Sequence, residues 1–328
     1  MKIGVIGFCE LDTLVYLENS QVFGGGALST AIHTALYGVH VSFYTYCGTD
    51  FPISVMHNKL KPINRYLTIN DISKECSAVQ ILIKKENHDH TWSLLDLGGW
   101  KNLELTDFKD INSRLCTGYI KLPYTIACNL SNYVARNDIP FIAINPQGTY
   151  LFEQLKVLKA DLLFFSEKEI CNAAKNKLPV VLQVLPELEK DIVVTIGSCG
   201  AIFYSQSTEK YYYVPSFDVD VVDTLGCGDA FAGGFIAFQA KGKKVTDQLA
   251  AGVLSAILNS QSWGALPDPV LVNDYEDILS DIVSHICVFD SSISLVEESD
   301  TWCHTCVQAP PELLKALESR DRGYWKYG

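Results

Sequence analysis

The sequence has 328 residues, 48% of them apolar and 20% charged, with a formal net charge of −12. That balance supports a sizeable buried core, and the length suits one large α/β domain or two ordinary ones. The acidic excess argues against nonspecific binding to nucleic acid or anionic membranes, although a local nest of backbone N–H groups can hold phosphate inside an acidic protein.

Residues 3–8 form a short apolar run and read as a buried strand. The opening is too short for a signal peptide and no apolar run approaches the ~18 residues of a membrane span, so a cytoplasmic protein is expected. Gly24-Gly25-Gly26 leads into 27–37, where Leu28, Ala31, Ile32, Ala35 and Leu36 recur at helical spacing and Gly38 marks the stop. Residues 41–46 are β-rich and end at the turn Gly48-Thr49-Asp50. Strand, glycine loop, helix and strand make a βαβ unit and predict a parallel sheet. Residues 79–84 and 91–95 flank Asn87-His88-Asp89-His90 and predict a hairpin. Short strands are expected over 119–122, 141–144, 162–165, 192–196 and 211–215, with helices over 126–136 and 150–158. After the glycines at 226–228, helices are expected over 230–240 and 245–260. No linker or repeat divides the chain, so one large domain over 1–290 is expected. The tail, 291–328, carries the charged run 297–300 and a helical pattern at 312–319 after Pro310-Pro311, and suits packing on the domain or binding a partner.

The eleven cysteines are scattered through these elements and read as small buried apolar residues. Cys303-His304-Thr305-Cys306, with His285 and Cys287 upstream, offers zinc-type ligands. A single C-x-x-C with a mis-spaced second pair favours ordinary core or surface residues instead.

The strongest chemical signal is Asp223-Thr224-Leu225-Gly226-Cys227-Gly228-Asp229, followed directly by Ala230-Phe231-Ala232-Gly233-Gly234-Phe235. Two glycines at the start of a helix let backbone N–H groups face an anion, and the helix dipole adds positive potential there. A carboxylate beside such a site suits a general base that takes the proton of an attacking hydroxyl. Taken alone, Gly-x-Gly-Asp reads better as an acid stabilised by the helix dipole.

The whole run resembles the signature of the ribokinase-like (PfkB) carbohydrate kinases, and further features fall in the family's order over roughly residues 1–275. These are Asp12 after the first strand, Gly24-Gly25 with Ser29, Ala31 and Gly38, the turn at Gly48, Thr195-Ile196-Gly197-Ser198-Cys199-Gly200, and Trp263-Gly264-Ala265. The resemblance implies an α/β, ribokinase-like three-layer fold with a mostly parallel central sheet, flanking helices and a reduced β lid drawn from 12–23 and 79–95. It implies Asp229 as base and Gly226, Cys227 and Gly228 as anion hole. Asp12, Gly24, Gly25 and Ser29 would meet the substrate, and Ser166, Thr195, Gly197, Gly200 and Gly228 the ATP. The implied cofactors are ATP and Mg2+, the latter with Glu169, and the family leaves room for a monovalent cation. The partners would be a sugar-like small molecule and ATP, with a homodimer allowed but the short lid weighing against it. Without the family, Asp12 reads as a turn residue, Gly24–Gly26 as a flexible turn, Gly197 and Gly200 as a hairpin turn, and Glu169 as a helix-start acid.

Three departures shape the expectation. Ser29 and Ser166 stand where the family has Asn, and Ser has a shorter reach and a smaller hydrogen-bonding repertoire. The stretch between Asp12 and Gly24 is short, which with Ser166 resembles the fructosamine (fructoselysine-type) 6-kinases and implies a bulky amino-acid-conjugated sugar. The expected function is therefore an ATP-dependent kinase acting on a hydroxyl of a sugar or sugar conjugate. A nucleoside kinase on the same fold, and a pseudokinase that binds sugar or nucleotide, are the alternatives. A dinucleotide dehydrogenase is disfavoured, because Asp and Phe follow Gly226-Cys227-Gly228 where the third glycine would fall.

Overall fold

The computed structural model describes residues 1–72, 77–86, 89–108, 111, 115–136, 139–266, 275–297 and 307–318. The first unit runs β1 (Lys2–Gly7), β2 (Glu10–Leu14), β3 (Ser20–Gly24), α1 (Gly26–Leu36) and β4 (His40–Thr45). After α2 (Ile53–Lys59) come β5 (Leu67–Asp71), β6 (Val79–Glu86) and β7 (Asp89–Asp96). An alternating stretch follows: β8 (Thr117–Pro123), α3 (Tyr124–Ala135), β9 (Ile142–Gln147), α4 (Phe152–Leu155), β10 (Leu162–Ser166) and α5 (Glu167–Ala174). Next are α6 (Leu178–Val184), β11 (Asp191–Thr195), β12 (Ala201–Ser205) and β13 (Lys210–Val214). Two long helices, α7 (Cys227–Ala240) and α8 (Val245–Ser260), precede α9 (Glu276–Ser284).

The main sheet is ordered, from one edge, β5-β4-β1-β8-β9-β10-β11-β12-β13, and a short strand, Cys287–Phe289, closes the far edge. Pairing is parallel from β5 to β11 and antiparallel beyond it. Both faces are covered, which is why these strands read as unbroken apolar runs. In β11, Val193 packs on the side of α1, α7, α8 and α9, while Ile192 and Val194 pack on the side of α3, α5 and α6. This is the ribokinase-like α/β architecture: a large, mostly parallel sheet between two helical layers.

A second, four-stranded sheet is ordered β3-β2-β6-β7. It joins the pair β2–β3 to the hairpin β6–β7 through a parallel β2–β6 contact. Residues 87 and 88 of the expected hairpin turn lie outside the described residues.

The helix expected over 150–158 forms only at Phe152–Leu155. The Leu158 amide donates three residues back to Leu155, a 3-10 closure, and buried Leu158 then leads into β10. Of the tail, Val307–Gln308 pairs with Phe217–Asp218, and the helix Pro311–Glu318 packs on α9 with Leu313 and Leu317 buried. Cys303, His304 and Cys306 lie outside the described residues, as do residues 298–300 and 319. No helix among the described residues is long and apolar enough to cross a membrane.

Candidate active site

The carboxyl ends of the parallel strands meet the N-termini of α1 and α7, where open parallel sheets hold their ligands. The turn into α7 depends on Gly226, whose φ of 77° lies in the left-handed region. A Cβ there would stand 2.9 Å from the Ala265 backbone. The loop before it is tied from beneath by the last turn of α8. Asn259 Nδ2 donates to the Leu225 carbonyl at 2.7 Å, and the amides of Val222 and Asp223 donate to the Ser260 carbonyl at 2.9 and 3.2 Å. The Cys227 N–H donates to the Thr224 carbonyl at 3.2 Å, so this member of the expected anion hole is turned into its own loop. Burial pushes the Cys227 thiol up to about 12, which keeps it an inert SH group.

Asp229 stands in the first turn of α7 and pairs with Lys121 Nζ, which reaches in from the end of β8. Their side chains are 14% and 12% exposed. Burial alone would lower the Lys121 ammonium, but Asp229, aided by Tyr119 and Glu169, holds it above the ordinary lysine value. Gly26, at the start of α1, makes room for the pair: a Cβ there would collide with Lys121 Cε and lie 2.7 Å from Asp229 Oδ2. Asn145, the register partner of Lys121 on β9, has a buried Oδ1 with no hydrogen-bond partner among the described residues. Sequence reasoning missed both residues. The available signal was a lysine closing an apolar strand and an asparagine in the next one, side chains that a buried parallel sheet admits only where they face polar company.

β2 runs close to this pair, near enough for the charges of Lys121 and Asp229 to act on Glu10. Glu10 and Asp12 alternate along it and so face the same side. Burial raises Asp12 to about 7, partly offset by a hydrogen bond with Glu10. Burial and the charge of Asp12 also hold Glu10 well above the usual carboxylate range. Asp12 is 2% exposed, and its Oδ1 has no hydrogen-bond partner among the described residues. Its carboxyl lies against Gly24, where any Cβ would overlap it. Gly25 caps α1 at a φ of 114°, and its carbonyl accepts the Ser29 N–H at 2.9 Å. Ser29 Oγ is enclosed, without a hydrogen-bond partner among the described residues. Asp12, Gly24 and Gly25 thus sit together, while Ser29 is packed one turn deeper into α1.

The remaining predicted residues stand at the ends of β10 and β11. Ser166 and Glu169 form a capping box on α5: the Ser166 N–H and Oγ donate to Glu169 Oε2 at 2.7 and 2.8 Å, and the Glu169 N–H returns a bond at 3.3 Å. Thr195 Oγ1 donates to the Phe165 carbonyl at 3.4 Å and lies 3.9 Å from where a Cβ on Gly228 would be, so the end of β11 faces the α7 loop. Gly197 and Gly200, at φ of 61° and 102°, shape the turn after β11, which Tyr213 Oη pins by a 2.8 Å bond to the Cys199 carbonyl. No group of three or more His, Cys, Asp or Glu side chains that could hold a metal gathers among the described residues. Mg2+ needs no such cage, because it commonly binds through one or two carboxylates, water and substrate phosphates. The half-buried Glu169, oriented by Ser166, is a carboxylate of that kind.

Residues 17–270 match the family described as pfkB family carbohydrate kinase. A cytidine kinase of Thermococcus kodakarensis is 26% identical over 281 residues, covering 79% of this chain and 96% of its own. A ribokinase of Bacillus subtilis is 25% identical over 306 residues, covering 85% and 99%. A probable sugar kinase from Rhizobium etli, a solved structure, superposes with a TM-score of 0.73 at 17% identity, covering 84% of this chain and 98% of its own.

Proposed function

The chain belongs to the pfkB family of carbohydrate kinases, and on that footing we propose that it moves the γ-phosphoryl of ATP onto a hydroxyl of a sugar or sugar conjugate, with Asp229 as general base. Membership makes it a phosphotransferase with an alcohol acceptor, in a family that includes sugar and nucleoside kinases. The observation that carries the proposal is the placing of Asp229. A carboxylate at the N-terminus of α7, paired with Lys121 and flanked by the start of α1, stands where an anion would be held.

In this mechanism Asp12 accepts a hydrogen bond from the acceptor through Oδ1, and the backbone at Gly24 and Gly25 bounds the acceptor. Asp229 takes the proton of the attacking hydroxyl. The hydroxyl oxygen bonds to the γ-phosphorus as the bond to the β–γ bridging oxygen breaks, and that oxygen leaves with ADP. The N-terminus of α7 at Gly226 and Gly228 and the Lys121 ammonium meet the charge on the transferred group. Thr195, Gly197 and Gly200 border the nucleotide phosphates. Bound Mg2+, held with Glu169, would neutralise phosphate charge.

A nucleoside acceptor is the second reading, favoured by the likeness to a cytidine kinase over 79% of the chain. An ADP-release screen against free sugars, glycated amino acids and nucleosides tests both. Turnover with a sugar or glycated amino acid supports the first reading. Turnover confined to nucleosides replaces it with the second, and no acceptor-dependent ADP release from any class overturns both.

A further inference from the structure

Asp223, six residues before Asp229, is fully buried, and a carboxylate so placed is costly unless its charge is met. Two backbone amides reach it: Gly264 donates to Oδ2 at 3.1 Å and Leu225 donates to Oδ1 at 3.3 Å. Three side chains reach it from the four-stranded sheet and its connections. Tyr16 Oη, in the turn between β2 and β3, donates to Oδ2 at 2.7 Å. His90 Nε2, on β7, lies 3.0 Å from Oδ1. Lys85 Nζ, on β6, stands 3.9 Å from the same oxygen. The three also pack on one another: the rings of Tyr16 and His90 are 5.4 Å apart, and Lys85 lies 5.6 Å from the Tyr16 ring and 6.0 Å from that of Trp263.

From this convergence we infer that Asp223 is a clasp between the lid sheet and the phosphoryl-transfer loop, and that Tyr16 and His90 are positioning residues for the transfer. Three of the five groups around Asp223 belong to the lid, so opening the lid strips the carboxylate of the Tyr16 O–H, the His90 ring and the Lys85 ammonium. The same carboxylate accepts the amide of Leu225, whose carbonyl is held by Asn259. A bare charge at Asp223 therefore disturbs the loop that ends at Asp229, and the loop is set when the lid is shut. Burial would raise Asp223, yet His90, Tyr16 and the Gly264 amide hold it below the usual carboxylate range, as a clasped anion requires. Tyr16, for its part, is held above the ordinary phenol value by burial and by Asp223, so it remains a donor. None of these contacts touches the reacting atoms, so the roles are those of position.

The catalytic half of this inference rests on the kinase reading, and its structural half does not. The test uses the full-length Tyr16→Phe variant, which keeps the ring and loses only the O–H, beside His90→Leu. Amide hydrogen exchange in the free protein is expected to quicken about tenfold at Leu225 and Gly264, together with the strands of the lid, because one charge-assisted bond is lost. With an acceptor that the wild type phosphorylates, kcat is expected to fall about tenfold while the KM for ATP moves less than about twofold. Faster exchange confined to the lid, with Leu225 and Gly264 unchanged, overturns the clasp, as does an unchanged kcat or a rise in the KM for ATP alone. If no acceptor is turned over by the wild type, the kinase reading fails and the exchange result still decides the clasp.

Discussion

Two buried aspartates bracket the site and have opposite fates. Asp223 is fully enclosed and met by two amides, a phenol, an imidazole and the Lys85 ammonium, and it is held below the usual carboxylate range. Asp12 is nearly as buried, shares its surroundings with Glu10, keeps one oxygen without a hydrogen-bond partner among the described residues and is raised to about 7. The difference separates two jobs that one residue type can do. A carboxylate whose bonds are filled from within holds structure together, and a carboxylate with an unmet acceptor is suited to a ligand's hydroxyl. Asp229 lies between these extremes, partly open and matched by Lys121.

The comparison can be broken first at its structural end. Asp223→Ala is expected to destabilise the fold by roughly 3 kcal/mol, the scale for breaking a buried ion pair on one side. Urea denaturation measures this, and a loss under about 1 kcal/mol would make Asp223 no more structural than Asp12. Next comes the intermediate case. Lys121→Met is expected to lower kcat about a hundredfold, the scale for removing one group aimed at transition-state charge, which steady-state kinetics reads directly. Smaller is Gly226→Ala, which must hold a left-handed φ of 77° with its Cβ against Ala265. It is expected to cost roughly 1–2 kcal/mol and to lower kcat, whereas Gly242→Ala, at a φ of 67° with open space around it, is expected to leave kcat unchanged.

The smallest effect is a slope. The Asp12 carboxyl titrates near 7 in the folded chain and near ~3.9 when unfolded. Between these values the folded state holds the extra proton. The stabilisation is therefore fully present below about 4 and is lost as pH rises through about 7. Asp223 has the opposite sign: its contribution is present above the unfolded carboxylate value and is lost as pH falls through the depressed folded value. Asp12→Asn should flatten the decline in stability between about pH 4 and 7 without abolishing that decline, because Glu10 is also raised. An unchanged slope in urea denaturation across that range would contradict the assignment.

Legibility in the sequence followed the range of the interactions. The glycines at 226 and 228, Asp229 and the helices behind them were readable because turn chemistry and helical periodicity are local. So were the parallel strands, whose double burial writes itself as apolar runs. The helix expected over 150–158 was overrun by the short path into β10, which periodicity does not register. Lys121 was hidden in a strand that reads as core, and its meaning comes from Asp229, 108 residues away. The contact at Asp223 was out of reach altogether: Tyr16 and Asp223 are 207 residues apart and meet only once the four-stranded sheet has formed. Glu10 and Asp12 were half-legible, since their two-residue spacing puts both carboxyls on one face only if the segment is a strand.

The role of Asp229 as the base for the acceptor's proton is tested most directly by replacing that residue. Asp229→Asn keeps the size and the position at the head of α7 and removes the base. With an acceptor phosphorylated by the wild type, kcat is expected to fall by about 10^2–10^4-fold, the range for general-base catalysis, while ATP affinity measured by equilibrium binding changes only modestly. An Asp229→Asn enzyme with wild-type turnover would contradict the account.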